Sequence, residues 1–106
     1  LGRFLLAKTF EGGIVGTGAG EMLSAGDPAA GSAGYVALEW VSGRIGARAG
    51  RFALQHSGTM DRGGQRLSIT VVPGTGSGEL AGLAGHLELS VADGVHGYTL
   101  HYRLPD

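Results

Sequence analysis

Glycine limits what this chain can fold into more than any other feature: 22 of its 106 residues are glycine, against a usual share of about 7%. An interior glycine costs a helix about 1 kcal/mol relative to alanine. Because the glycines are spread through every segment, long helices are excluded. They follow no period of three and the chain has only 3 prolines, so a collagen-like helix is excluded too. The sequence therefore predicts short strands joined by tight turns.

The hydrophobic pattern also indicates strands. Apolar residues alternate with polar ones in several runs, and a clear example is Leu67, Ile69 and Val71 with Ser68 and Thr70 between them. A period of two is typical of half-buried antiparallel strands. We predict seven strands in a single domain spanning residues 1–106, at residues 3–10, 13–23, 34–48, 51–60, 66–73, 85–92 and 95–104.

Turn residues separate the predicted strands. Asp61-Arg62-Gly63-Gly64 and Asp93-Gly94 have the composition of tight hairpin turns, and Ala49-Gly50 offers a third. Gly43 and Gly46 lie inside the third predicted strand, where they indicate bulges or a bend. Connections this short predict that consecutive strands pair as antiparallel neighbours.

Strands in hairpin order leave two sheet edges, which proteins usually remove by closing a barrel or packing two sheets together. The glycines favour the barrel, because strongly curved strands need glycine at their bends. The first predicted strand begins almost at once and Leu1 is not an initiator methionine. We therefore expect an eighth strand upstream, and predict a small closed antiparallel eight-stranded β-barrel whose first strand is missing from this chain.

Charge and cysteine content exclude several functions. The chain carries 8 Lys and Arg against 9 Asp and Glu, a net charge of −1, which excludes the basic footprint of a protein that binds nucleic acid or an anionic membrane. It has no cysteine, so disulfides, thiolate metal sites and cysteine nucleophiles are excluded. No apolar run approaches the roughly 18–20 residues of a membrane span and no signal peptide is visible, which favours a cytoplasmic location.

The histidines do not predict a metal site. The 4 histidines show no H-x-H or H-E-x-x-H spacing, and His96 and His101 differ in strand parity. Gly74-Thr75-Gly76-Ser77-Gly78 lacks the lysine and the following helix of a phosphate-binding loop. We therefore predict neither a metal nor any other cofactor.

Four segments carry a resemblance to a known family: FEGGIVGTGAGEMLSA at 10–25, GSAGYVALE at 31–39, FALQHSGTM at 52–60 and VVPGTGSGELAGLAG at 71–85. They are similar, in the same order, to a bacterial family of domains of unknown function, family 3224. The resemblance implies an allene oxide cyclase-like barrel of eight antiparallel strands, with the first strand before residue 1. It implies no particular reaction, because fold alone does not transfer function.

His56 is the most informative candidate for chemistry. It continues the strand face of Phe52 and Leu54, so an inward-facing His56 lies among apolar side chains. A histidine in such a cavity can act as a general acid or base near neutral pH, or hydrogen-bond a ligand. The alternative is a buried histidine that only satisfies a structural partner.

The third strand leaves two orientations open. Tyr35 and Glu39 share one face, and Val36, Leu38 and Trp40 share the other. Apolarity alone sends the second set inward, whereas an inward Tyr35 and Glu39 would suit a binding cavity. A desolvated Glu39 is expected to have a raised pKa and to exchange a proton.

Glu21, on the second strand, is either an ordinary exposed carboxylate or faces His56 across the barrel. The candidate catalytic residues are therefore His56, Glu39 and Glu21. The candidate ligand-binding residues are the aromatic and aliphatic residues of the predicted inner face: Tyr35, Phe52, Leu54, Tyr98 and Tyr102.

Two classes of function remain. In the first, the barrel binds a small apolar molecule in its lumen, with or without cofactor-independent catalysis of the isomerase or cyclase type. In the second, the barrel is filled with side chains and acts as a non-catalytic homo-oligomeric or interaction module, since eight strands permit either interior. An exposed Trp40 would favour a subunit interface.

Overall fold

The computed structural model describes residues 1–92 and 94–105. Its strands form one antiparallel sheet of eight: β1 Gly2–Phe10, β2 Ile14–Asp27, β3 Ser32–Ile45, β4 Arg48–Asp61, β5 Gly64–Val71, β6 Ser77–Gly78, β7 Ala84–Ala92 and β8 Val95–Arg103. A single 3-10 turn, Pro28–Ala30, joins β2 to β3. None of the described residues belongs to a helix long and apolar enough to cross a membrane. The all-β antiparallel class is confirmed.

The seven predicted strands correspond to β1–β5, β7 and β8. The two-residue strand β6 was not predicted; it pairs with β4 and supplies the eighth strand of the sheet. Arg62 and Gly63 have φ of 52° and 79°, the left-handed pair that a tight hairpin turn requires, so the turn at 61–64 is confirmed. Asp93 of the predicted Asp93-Gly94 turn lies outside the described residues.

The turn predicted at Ala49-Gly50 is wrong. β3 ends at Ile45 and β4 begins at Arg48, so Gly46 and Ala47 make the turn, with Gly46 at φ 61°. Gly46 is therefore a turn residue and not a bend within a strand. Gly50 lies inside β4, where it pairs with Gly43.

Closure into a barrel is not confirmed. The hydrogen-bonded path runs β1-β2-β3-β4-β5-β7-β8, and within the described residues no pairing joins β1 to β8. The two outer strands nevertheless meet at one end, where the rings of Phe10 and Tyr98 pack edge to face with centroids 6.2 Å apart. The Tyr98 hydroxyl accepts a hydrogen bond from the Ile14 amide at 2.9 Å and donates to the Glu11 carbonyl. The sheet is thus curled, with side chains bridging its edges.

The core fills the concave inner face at this end of the sheet. It contains the inward side chains of β2–β5 and β7 together with two leucines from the loop between β6 and β7: Ile14, Val41, Ile45, Phe52, Leu54, Ile69, Val71, Leu80, Leu83 and Leu87. The loop is attached to the sheet by Glu79, whose Oε1 accepts a hydrogen bond from the Ala49 amide at 3.2 Å.

Three glycines lie side by side across the inner face of the central strands. Gly43 pairs with Gly16 of β2 and with Gly50 of β4. A Cβ atom on Gly43 would lie 2.1 Å from the Val15 carbonyl oxygen, far inside van der Waals contact. In this glycine ladder (Gly16, Gly43 and Gly50), Gly16 and Gly43 let β2 and β3 approach closely where the sheet curls, and Gly50 makes room for the Ser77 carbonyl oxygen of β6, 2.0 Å from the position of an added Cβ atom.

Candidate functional site

The structure answers the question of which face of β3 points inward. Glu39 is buried at 1% exposure, whereas Val36, Leu38 and Trp40 are 55%, 58% and 46% exposed. Tyr35 shares the inner face and is half-buried. The more apolar set of side chains therefore faces outward, and a carboxylate lies inside the curled sheet.

Glu39 and His56 form a buried pair. Glu39 is opposite Leu54 in the β3–β4 register and His56 is opposite Ala37, which makes the two residues diagonal neighbours on one face. His56 Nε2 lies 2.6 Å from Glu39 Oε1, and His56 is 7% exposed. A hydrogen bond of this length to an ionised group is of the strong, charge-assisted kind.

Lys8 reaches the same carboxylate from two strands away. Its Nζ lies 3.3 Å from Glu39 Oε1, although β2 separates its strand from β3. Lys8 pairs with Gly18 in the β1–β2 register, and Gly18 has no side chain to block the inner face. A Cβ atom there would lie 2.9 Å from Glu39 Oε2. Lys8 was not among the predicted site residues, although it shares the inward parity of Phe10 and faces glycines on β2, which was a usable signal.

The cationic neighbours decide the charge of Glu39. Burial raises its pKa, but the hydrogen bond from His56 and the charges of Lys8 and His56 outweigh burial, so the pKa lies below its ordinary value. The prediction of a raised pKa is wrong because it included desolvation without these two partners. Glu39 is therefore ionised at neutral pH. Its second oxygen, Oε2, is buried without a hydrogen-bond donor among the described residues, an arrangement that is costly inside a protein.

The ionised carboxylate fixes the orientation of the imidazole. Glu39 can only accept hydrogen bonds, so His56 Nε2 is the donor of the pair. In the neutral ring the proton-accepting lone pair is then on Nδ1, which makes no hydrogen bond to the described residues. A carboxylate that holds one imidazole nitrogen and leaves the other as a base is a recurrent arrangement in proton-transfer sites.

An apolar cavity occupies the inner face at the other end of the sheet. Its volume is about 330 Å³ and its inward-facing lining includes Phe4, Met22, Tyr35, Gly58, Met60 and Leu67. The His56–Glu39 pair does not line it but lies next to it, because His56 precedes Gly58 by one inner-face position, about 6.6 Å along a strand. Burial raises the pKa of Tyr35, so its phenol stays protonated and able to donate a hydrogen bond.

Glu21 is not brought to His56; of the two alternatives for this residue, the structure shows the ordinary exposed carboxylate. Its side chain is 54% exposed on the outer face, where both carboxylate oxygens pair with Arg3 at 3.1 Å. The hydrogen bond and charge of Arg3 hold the pKa of Glu21 below its ordinary value. Glu21 faces outward because side chains alternate along β2, and Gly18 and Gly20 occupy the inward positions.

The remaining predicted ligand-binding residues also lie away from the cavity. Phe52 and Leu54 are fully buried in the core. The Tyr98 hydroxyl is occupied by backbone groups of the β1–β2 turn. Tyr102 is 48% exposed and lines a hollow beside the β3–β4 turn. Of that predicted set, only Tyr35 lines the inner-face cavity.

Together, these features define a small antiparallel β-sheet protein that holds a carboxylate–imidazole pair inside an apolar, curled sheet. The family model described as "Protein of unknown function (DUF3224)" matches residues 1–102. The chain therefore belongs to the DUF3224 family, as the sequence resemblance indicated.

A solved structure of a DUF3224 protein of unknown function from Shewanella oneidensis is similar to this chain. The two share 45% sequence identity with a TM-score of 0.91, over 98% of this chain and 78% of the other. The comparison with curated proteins found no match. The fold is thus shared with a bacterial homologue.

The lowered pKa of Glu39 predicts how stability depends on acid. A carboxylate whose folded pKa lies below its unfolded value of about 4.3 stabilises the fold fully above that value and loses this effect as pH falls through the folded pKa. Wild-type protein is therefore expected to lose free energy of unfolding more steeply than Glu39→Gln as pH falls below about 4.3. Urea unfolding at a series of pH values measures both slopes.

The matched control for this experiment is Glu21→Gln. The pKa of Glu21 is also lowered, but its ion pair is exposed and screened by solvent. Its acid slope is expected to follow wild type. Parallel curves for wild type and Glu39→Gln over the whole acid range would contradict the assignment of an ionised, stabilising Glu39.

Proposed function

We propose that this protein binds a small, largely apolar molecule in the inner-face cavity and that the adjacent His56–Glu39 pair exchanges a proton with it. The observation that carries the proposal is the buried Glu39 Oε2, which has no donor among the described residues. A core needs no ionised carboxylate for packing, and an unpaired buried oxygen is destabilising. A ligand that extends one inner-face position beyond the lining of the cavity and donates a hydrogen bond there would satisfy it.

The arrangement supports cofactor-independent chemistry of the isomerase or cyclase type. His56 Nδ1 takes a proton from a carbon or oxygen of the ligand and returns it to another atom of the same molecule, so no oxidant or reductant is consumed. Glu39 stabilises the imidazolium formed in between, and Lys8 keeps Glu39 ionised. Tyr35 supplies a phenolic donor at the cavity wall, suited to an oxygen on which negative charge develops.

The size and lining of the cavity support a small ligand. A volume of about 330 Å³ is at the lower end of the range of roughly 300–1,000 Å³ typical of ligand sites, which are mostly apolar with a few polar groups. An allene oxide cyclase-like closed barrel would shield such a site from water. That closure and a cytoplasmic location remain predictions.

Ligand binding is tested with the neutral fluorescent probe 1-aminoanthracene on untagged protein. Met60→Trp places a large ring in the cavity and is expected to weaken probe binding at least about fivefold, since overfilling a packed site costs about 1–3 kcal/mol. The matched control is Thr9→Trp, which adds a similar ring at an exposed outer-face position of β1 and is expected to bind as wild type. Equal probe affinities in all three proteins would refute binding in this cavity.

The role of the pair is tested by mass spectrometry of small molecules that co-purify with the protein. A ligand that donates to Glu39 or His56 is expected to be recovered from wild type and lost from His56→Ala, with Glu21→Ala as the control. Urea unfolding checks that His56→Ala is folded. Recovery of the same ligand in the same amount from His56→Ala would remove the pair from the site.

A second candidate function, homo-oligomerisation, is favoured by the exposed apolar side chains of the outer face. Leu23, Val36, Leu38 and Trp40 lie together there and line an open hollow of about 730 Å³. Large exposed apolar patches commonly mark surfaces that bind another protein. We propose a second copy of the chain as the occupant.

Light scattering tests the proposed dimer. It is expected to give a dimer for wild type and a monomer for Leu38→Glu. The control is Thr70→Glu, which is also on the outer face and is expected to remain a dimer; a monomeric wild type would contradict the proposal.

A further inference from the structure

Two histidines and a glutamate meet on the outer face of the β7–β8 hairpin. His86 of β7 is directly opposite His101 of β8 in the strand register, and their rings stack with centroids 4.8 Å apart and planes 14° from parallel. Glu88 lies two residues from His86 on the same face. Its Oε1 is 3.5 Å from His86 Nε2 and its Oε2 is 3.6 Å from His101 Nε2.

These spacings match those around a tetrahedral metal ion. Zinc binds histidine nitrogen and carboxylate oxygen at about 2.0–2.2 Å, so two of its ligands lie about 3.4 Å apart. The two nitrogen-to-oxygen distances, each to a different oxygen of Glu88, are close to this value, and one candidate ligand atom from each of the three residues lies within 4.8 Å of the other two. The side chains are about half exposed or more, so a small rotation brings the two nitrogens to the separation that coordination needs.

The strand register places these ligands on a firm support. Leu87, between His86 and Glu88 in sequence, is buried in the core, so its neighbours are held on the opposite, outer face. His86 is also opposite Thr70 of β5. A hollow of about 510 Å³ between β5 and β7 reaches His86 and Glu88 and contains Ser68 and Thr70, which leaves room for water or an anion as a further ligand.

We propose that His86, Glu88 and His101 form a binding site for a divalent transition-metal ion of the Zn²⁺ class. Two imidazoles and one carboxylate are ligands that suit Zn²⁺, Cu²⁺ and Ni²⁺ and do not suit Mg²⁺ or Ca²⁺, which prefer sites made of oxygens alone. The site is separate from the inner-face cavity, because its side chains point away from the core. The site could not be predicted from H-x-H or H-E-x-x-H spacing, because its two histidines come from different strands.

Isothermal titration of untagged protein with ZnCl₂ tests the site. Wild type is expected to bind one Zn²⁺ and no Mg²⁺, and His86→Ala and His101→Ala are each expected to weaken Zn²⁺ binding at least about tenfold, because even supporting residues around metal ligands are worth 10–100-fold. The control is Glu11→Gln, an exposed carboxylate outside the cluster, which is expected to bind as wild type. Since the three side chains are exposed, the variants are expected to unfold at the same urea concentration as wild type without metal.

Electron paramagnetic resonance of the Cu²⁺ complex provides a second measurement, which reports the nitrogen ligands directly. Hyperfine splitting from two nitrogen ligands is expected in wild type, with one nitrogen lost in His101→Ala. Zn²⁺ affinity that is unchanged in both histidine variants, or a Cu²⁺ spectrum without nitrogen splitting, would overturn the proposal. In that case the cluster is an ion pair between Glu88 and protonated histidine only.

Discussion

Replacement of Gly43 by alanine is expected to lower the free energy of unfolding by roughly 3 kcal/mol, near the upper end of the usual cost of overpacking. The added methyl group would lie 2.1 Å from the Val15 carbonyl oxygen and 2.7 Å from Gly16 Cα. Both are backbone atoms, so no side chain can rotate away to make room. The β2 and β3 strands must instead separate along the glycine ladder, which weakens their hydrogen bonds.

Gly13→Ala is the matched control, because it makes the same chemical change in open space. A Cβ atom on Gly13 meets nothing within 4 Å, so its effect is expected to lie within about 0.5 kcal/mol of wild type. Urea unfolding of both variants gives the comparison. Equal losses for Gly13→Ala and Gly43→Ala would show that close approach of the strands does not account for the glycine at position 43.

The strands could be predicted from the sequence, but the roles of the individual glycines could not. Alternation predicted where seven strands lie, because burial of one sheet face imposes a period of two. It did not distinguish a glycine in a turn from a glycine in a close approach. Gly50 beside Ala49 has the composition of a hairpin turn, yet it pairs inside β4 while Gly46 makes the turn. The difference depends on the neighbouring strand, which local sequence does not contain.

The candidate site, too, could be predicted only in part from the sequence. His56 and Glu39 could be selected because a titratable residue interrupts an apolar strand face. The inward face of β3 could not be chosen, since Val36, Leu38 and Trp40 are the more apolar set and nevertheless point outward. Lys8 reaches Glu39 across the intervening strand β2. This contact depends on the curl of the sheet, which the local sequence does not reveal.

Loss of one partner of the His56–Glu39 pair is the other large effect expected. Among the described residues, His56→Leu leaves the buried Glu39 carboxylate with Lys8 alone as a partner, and removing the partner of a buried charge typically costs about 3–5 kcal/mol. Glu39→Leu is expected to lower the free energy of unfolding by less than His56→Leu, because burying a neutral imidazole requires less desolvation free energy than burying a carboxylate. Urea unfolding at neutral pH measures both losses.

The double variant Glu39→Leu/His56→Leu separates a structural role of the pair from a functional one. Replacing both members of a buried ion pair by apolar residues of similar size is often neutral or stabilising, and the Lys8 side chain, 41% exposed, can turn its charge to solvent. We therefore expect the double variant to be more stable than His56→Leu alone and close to wild type. That result would mean that stability does not require the pair, which leaves the chemistry proposed for it as the reason for a charged group in this core. If the two single losses instead add in the double variant, the two side chains are not coupled and each stabilises the sheet through its own contacts, and the proposed proton exchange loses its main support.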